Sequence, residues 1–219
     1  MTVDELKILL DISDPGDVLK SNAKECSNGW LFVDSNDGHC YLFDRNGKEK
    51  DIHNLTKIDD DLFSKDCELT KIVVSSSVTS IGKFAFWNCD NLTSVTMPDS
   101  VTSIGRRAFC NCSKLMRITI PNGVPRIGNY MFYGCSRLMS VAIPDSVTSI
   151  EDYAFSYCSG LTGVTIPDSV TSIGEYAFFD CSKLTGLVFK GKTLEEVKTM
   201  KNYPFGIDDE SIIKREDYS

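Results

Sequence analysis

The chain predicts an α/β repeat solenoid with a parallel β-sheet along one face, short helical or 3₁₀ turns opposite, and non-repeat caps at both ends. Three observations carry this. A 23-residue unit recurs five times without interruption, beginning at Leu69, Leu92, Leu115, Leu138 and Leu161, and a fixed period of that size marks stacked coils. Apolar residues keep their places from copy to copy. Proline and glycine recur between them, so each coil is punctuated in the same way.

Residues 1–57 fall outside the repeat and read as an N-terminal cap made of a helix and a three-stranded meander. Thr2 and Glu5 have capping-box spacing ahead of Leu6, Ile8, Leu9 and Leu10, which predicts a short helix that Asp14-Pro15-Gly16 ends. Trp30–Val33, His39–Phe43 and Lys48–Ile52 are strand candidates separated by the turn signals Asn36-Asp37-Gly38 and Asn46-Gly47. Such a segment would cover the open apolar end of the stack. Leu55-Thr56-Lys57-Ile58 with Leu62-Phe63 matches the second half of a repeat, so a degenerate coil is expected to lead into a solenoid spanning residues 58–190.

Within a coil such as Leu161–Lys183, Val164 and Ile166 alternate with Gly163 and Thr165 at the period of a strand. Pro98, Pro121, Pro144 and Pro167 end that strand, because proline has no amide hydrogen for a ladder. A second extended stretch, V-T-S-I, leads to Gly82, Gly105, Gly128 or Gly174, read as a tight or left-handed bend; Glu151 is the exception. The following Y-A-F-x-x-C is too short for a full helix and is expected to form one helical or 3₁₀ turn that points phenylalanine and cysteine inward. Stacking then puts Phe86, Phe109, Phe132, Phe155 and Phe178 in one interior column, each contributing roughly 1.5–3 kcal/mol of burial.

Residues 191–219 read as a C-terminal cap helix and tail. Leu184, Leu187 and Phe189 supply one more strand. Thr193 and Glu196 form a second capping box, opening a helix through Leu194, Val197 and Met200 that Tyr203-Pro204 stops. Asp208 to Ser219 is charged and expected to be partly mobile.

The string I-P-D-S-V-T-S-I-G-x-x-A-F-x-x-C-S-x-L, present at 166–184 and nearly so at 97–115, closely resembles the BspA-like class of leucine-rich repeats. The resemblance covers about residues 58–190. It implies a right-handed parallel solenoid that binds other macromolecules, and some relatives are surface adhesins. The segment from Phe189 to Ile207 resembles closing segments of related arrays.

At 219 residues and 42% hydrophobic content the chain can bury a sizeable core. Its net charge of −8 disfavours general nucleic-acid or anionic-membrane affinity. The charge is uneven. Residues 92–137 carry six basic side chains against Asp99, a net +5, whereas residues 138–183 carry six acids against Lys183, a net −5. The N-terminus is charged within its first five residues and has no apolar run of signal-peptide length, and no stretch is long enough to span a bilayer. A cytoplasmic location is expected, with a monomer favoured.

Cys89, Cys112, Cys135, Cys158 and Cys181 recur at 23, with Cys67 read as a register-shifted sixth. Side chains of one column point the same way and do not converge as a disulfide requires, so buried free thiols are expected. Cys110 with Cys112 is a lone C-x-C and weak metal evidence. No metal or cofactor is expected. The two histidines, His39 and His53, have no neighbouring acid or nucleophile that the sequence singles out, and there is no phosphate-binding glycine loop, so an enzyme is not expected.

Function is then sought where the copies differ. The outward sheet positions Val73, Thr96, Thr119, Ala142, Thr165 and Val188 are small and uniform. The turn after glycine is varied and rich in residues that dominate binding energetics: Phe84, Trp87, Arg106, Arg107, Tyr130, Tyr133, Tyr153, Tyr157, Tyr176 and Phe179. The reading is a non-catalytic protein-binding module with that strip as the partner surface. The alternative occupation of the strip is outer-core packing along the coil edge. Alternative functions are a phage- or mobile-element-encoded inhibitor of a host enzyme, and an adhesin exported by an unrecognised route.

Overall fold

The computed structural model describes residues 24–26, 29–33, 40–43, 49–67 and 69–216. Four antiparallel strands come first: β1 (Lys24–Cys26), β2 (Gly29–Val33), β3 (Cys40–Phe43) and β4 (Glu49–Lys50), hydrogen-bonded in that order. The expected meander therefore has a fourth member, β1, which pairs Lys24 with Leu31 and Cys26 with Gly29. Of the strand expected over Lys48–Ile52 the described residues form Glu49–Lys50, while Ile52–Asn54 makes a single 3₁₀ turn. The helix expected after Thr2 lies outside the described residues. This sheet touches the first coils through the Cys40 thiol, which donates to the Val73 carbonyl at 3.4 Å, and through a Lys24–Asp66 ion pair at 3.2 Å.

The solenoid follows as parallel ladders whose register is the sequence period. Lys71–Val73, Ser94–Thr96, Arg117–Thr119 and Ser140–Ala142 pair so that Lys71, Ser94, Arg117 and Ser140 stand in one row. Gly163–Ile166 and Gly186–Phe189 continue the coils with the same 23-residue offset. The central residue of each three-residue strand, Ile72, Val95, Ile118 or Val141, is buried while its neighbours face outward. The V-T-S-I stretch makes a second set of parallel two-residue strands, among them Ser80–Ile81 on Ser103–Ile104 and Ser149–Ile150 on Ser172–Ile173. Between the two ladders each proline carbonyl closes a tight turn, as in Val101 N–H to Pro98 at 3.1 Å.

The segment after glycine departs from the expected helical turn. It keeps 3₁₀-type bonds within the coil, such as Trp87 N–H to Phe84, but alternate amides turn out of the coil and donate to the next one. Phe84, Phe86 and Asn88 donate to Arg106, Ala108 and Cys110 at 3.2, 2.8 and 2.9 Å, a third inter-coil ladder. The backbone achieves this by entering the left-handed region at Phe84, Arg107, Tyr130, Tyr153 and Tyr176, with φ between 52° and 57°, and again four residues later at Asn88, Asn111, Gly134, Tyr157 and Asp180. Such a conformation costs an L-residue roughly 1–2 kcal/mol, and the ladder it permits offsets that cost.

The conserved spacing of glycine has another cause than a left-handed bend. Gly82, Gly105 and Gly174 are absent from the left-handed residues; instead the preceding coil occupies the place of a side chain, and a Cβ on Gly105 would meet the Lys83 nitrogen at 2.5 Å. At Gly128 the nearest atom would be 3.6 Å away, so the coils are less tightly apposed there. Glu151 exploits a different requirement. The amides of Lys83, Asp152 and Glu175 are each capped by an acceptor one coil back, Asp60, Asn129 and Asp152. Arg106 cannot accept a bond, so the carboxylate of Glu151 reaches back to both Asn129 N–H and Nδ2, at 3.0 and 2.9 Å.

Inside, the phenylalanine column forms as expected and extends one coil further to Phe63. Consecutive rings from Phe63 to Phe178 lie 5.2–5.7 Å apart and within 15° of parallel. The cysteine column sits beside it, fully reduced: Cys89, Cys112, Cys135, Cys158 and Cys181 are buried, and each thiol donates to a phenylalanine carbonyl of the preceding coil at 2.9–3.1 Å. These thiols are thus polar groups with a partner as well as small hydrophobes. Cys67 does not join them. It is exposed, because Asp66 holds the equivalent position and binds its own loop through the Leu69 amide. Hydroxyls form further ladders on the outside, for example Thr79, Thr148 and Thr171 onto the carbonyls of Thr56, Pro125 and Thr148.

At the C-terminal end Thr193 and Glu196 make the expected capping box, opening α1 (Leu194–Thr199) with Val197 buried. Residues 208–216 of the tail are more ordered than their charge implies. Ile213–Arg215 adds a parallel strand beside Gly186–Phe189, with Ile213 buried, so a short apolar anchor outweighs the flanking charges.

Two measurements check this packing. Phe132→Ala in the central coil should lose roughly 3–5 kcal/mol in denaturant unfolding, more than the same change at Phe63; a loss below about 1 kcal/mol would remove Phe132 from the core. Burial raises the thiol pKa of Cys89 and Cys181 from 9.0 to about 12, and those of Cys112, Cys135 and Cys158 upward too. The unfolded chain therefore ionises first, and the contribution of the column is complete below pH 9 and lost as pH rises toward 12. Moving from about pH 8 to about pH 10 should remove on the order of 1 kcal/mol per column thiol, and Cys158→Ala should flatten the decline. An unchanged slope would mean that the thiols already ionise in the folded protein.

Candidate protein-binding ridge

The third ladder decides where the large side chains go. Its inward positions hold alanine (Met131 in one coil), phenylalanine and cysteine, and the left-handed positions carry whatever is left outside. Phe84, Arg107, Tyr130, Tyr153 and Tyr176 form one outer column. Tyr130 stacks on Tyr153 at 4.8 Å and Tyr153 on Tyr176 at 5.4 Å. The Arg107 guanidinium fills the gap in the ring series, lying 4.5 Å from the Tyr130 centroid and 5.7 Å from Phe84. Arg106 is exposed and also reaches Phe84, at 5.7 Å.

A second column runs beside it through Trp87, Cys110, Tyr133 and Phe179. Its fourth position is Ser156, whose hydroxyl is buried against the Tyr176 carbonyl at 2.5 Å. Tyr157, one residue later, closes the gap, with centroids 5.2 Å from Tyr133 and 5.5 Å from Phe179. Ring contacts of 5.6–6.1 Å join the columns, edge-on at Phe84–Trp87 and Tyr176–Phe179 and tilted at Tyr130–Tyr133. Lys65 extends the ridge over Trp87 at 5.0 Å.

All ten residues read from the sequence as a partner surface thus lie on one ridge. Outer-core packing along the coil edge accounts for much of the strip. Most of the rings are half-buried against one another, while Tyr157 and Tyr176 remain 41% exposed. Crowding raises the phenol pKa of Tyr133 and Tyr153, chiefly by desolvation. Burial likewise pushes the Cys110 thiol up to about 11, which makes it a poor nucleophile.

The plain sheet face holds one feature that the sequence reading passed over. Thr93, Thr162 and Thr185 bond back to the preceding coil through their hydroxyls, but Met116 and Met139 occupy the two positions between Thr93 and Thr162, 43% and 42% exposed. The signal was available as methionine interrupting a threonine column. Among the described residues no group of three His, Cys, Asp or Glu side chains is placed to hold a metal ion, and no helix is long and apolar enough to cross a membrane. His53 is exposed, with its amide bonded to Asp51; His39 lies outside the described residues.

The family model of the BspA type leucine-rich repeat region matches residues 56–205 in six copies, starting ahead of the first uninterrupted copy at Leu69. No curated protein matches the chain. Among solved structures, a leucine-rich cell surface protein from Faecalibacterium prausnitzii is similar at 29% identity, over 76% of this chain and 54% of its own, with a TM-score of 0.50. A leucine-rich repeat protein from T. pallidum is similar at 21% identity, over 73% of this chain and 89% of its own, with a TM-score of 0.49. The chain spans about half the length of the Faecalibacterium protein. Stacked coils in 23-residue register, with the family model matching over most of them, place the chain in the BspA type of leucine-rich repeat proteins.

Proposed function

We propose that this chain is a non-catalytic protein-binding module whose contact surface is the aromatic and arginine ridge. The observation that carries the reading is the continuity of the ring contacts from Trp87 and Phe84 to Phe179 and Tyr176. Tyrosine, tryptophan and arginine supply most of the energy of protein interfaces. Rings already stacked on one another lose little further freedom when a partner binds, so less of the contact energy is spent on ordering them. Opposite charge at the two ends of the ridge orients the partner and raises its association rate.

The setting we assign is the cytoplasm, supported by the buried unpaired thiols of Cys89, Cys110, Cys112, Cys135, Cys158 and Cys181. The net charge of −8 supports a protein partner over nucleic acid or an anionic membrane. The Faecalibacterium neighbour is a cell surface protein, so fractionation of the native host separates the two locations.

Binding is tested by capture from host lysate. Reversing Arg106 and Arg107 to Glu should abolish retention of the partner with the fold intact, and added salt should slow association. Replacing Thr96, Thr119 and Thr165 with larger polar residues should leave capture unchanged. Binding lost from the threonine face and kept after the arginine reversal would move the site to the sheet.

A further inference from the structure

The position after each corner glycine, or after Glu151 in the one coil that lacks it, carries Lys83, Arg106, Asn129, Asp152 and Glu175, one per coil. The four charged residues are exposed and Asn129 is half-buried. Read along the stack, the charges run plus, plus, neutral, minus, minus. Reversed, that order is its own complement. Some charges of the solenoid pair within the chain, as Arg126 does with Glu151 and Lys192 with Asp168. Others such as Arg117, Arg137 and Asp145 do not pair among the described residues, so it is the order of charges that distinguishes this column. Among the described residues Lys83, Arg106, Asp152 and Glu175 form no ion pair.

The adjoining ring column has the same property. Turned end for end, Phe84, Arg107, Tyr130, Tyr153 and Tyr176 set Arg107 against a tyrosine, and Tyr130 against itself. The contact Arg107 already makes with Tyr130 at 4.5 Å shows the guanidinium and phenol geometry that this would repeat. Rung spacing is common to both copies: 4.8 Å from Tyr130 to Tyr153 and 5.4 Å from Tyr153 to Tyr176. Matching one rung therefore brings all five into register. A parallel arrangement would instead oppose lysine to lysine and glutamate to glutamate.

We infer that the ridge is an isologous interface between two copies of this chain packed antiparallel, Lys83 facing the second copy's Glu175 and Arg106 its Asp152, with the two-fold axis beside Asn129. This rests on the ridge being a contact surface and names its occupant. Five rungs span only about 20 Å at strand spacing, short of a standard interface of roughly 800 Å² per partner, so the dimer is a weak one held by charge.

Sedimentation velocity on the full chain tests it. The wild type should shift from monomer to dimer with concentration, and raising salt from about 0.1 M to about 1 M, which shortens the Debye length from roughly 10 to 3 Å, should weaken the dimer at least tenfold. Two variants give the decisive reading. Lys83→Glu with Arg106→Glu leaves only acidic charges in the column; Asp152→Asn with Glu175→Lys leaves only basic ones, and the asparagine keeps an Oδ1 acceptor for the amide of position 175 one coil on. Each should be monomeric alone, and an equimolar mixture should form a heterodimer. The single changes Lys83→Glu and Glu175→Lys, which reverse the two members of one facing pair, serve the same comparison if a double variant fails to fold. A wild type that stays monomeric at high concentration, variants that dimerise alone, or a mixture that does not pair would each overturn the dimer. Lysate capture that still depends on Arg106 and Arg107 would then leave the ridge as a surface for a different protein.

Discussion

The amides of Phe86, Phe109, Phe132 and Phe155 each donate to a carbonyl in the next coil, at 2.8–3.1 Å. A buried amide without a partner is costly, and these four find theirs across the gap between coils. The coils must therefore sit one strand spacing apart at the corner as well as in the sheets, and that closeness dictates much of the sequence. It leaves no room for a side chain at Gly82, Gly105 and Gly174. It brings the phenylalanine rings to stacking distance, and it sets each column thiol within reach of a phenylalanine carbonyl one coil back.

The ridge follows from the same constraint. Turning alternate amides outward forces the left-handed region at Phe84, Arg107, Tyr130, Tyr153 and Tyr176. Side chains there are excluded from the core, so nothing in the packing fixes their type from coil to coil. They are held nonetheless, because each rests on the equivalent residue of its neighbour. An outer column that is free to vary and still ordered is a favourable place for recognition. Charge varies along it while spacing does not, and an electrostatic pattern can therefore be written on a regular lattice.

Much of this was legible from spacing. The phenylalanine and cysteine columns, the strand positions, the proline exits and the Thr193–Glu196 box all rest on period and residue type, which the sequence displays directly. The ten ridge residues were legible for the same reason, as departures from the repeat. What escaped depends on distances between coils. Glycine at the corner suggested φ above zero, but the left-handed residues are the bulky ones two places on, where a single sequence gives no warning. Glu151 looked like a lapse in the pattern, although it caps Asn129 because Arg106 cannot. Ile213 lies among charges, and only the open edge beside Gly186–Phe189 makes a strand of it.

The inter-coil ladder at the corner is the central claim, and amide hydrogen exchange resolved by residue tests it most directly. The amides of Phe86, Phe109, Phe132 and Phe155 should exchange only through global unfolding, as slowly as those of Ile118 and Val141 in the sheet. Exchange of these four at the fast rates of an open surface turn, with the sheet amides still protected, would show that the corner is not bonded from coil to coil and would contradict the account.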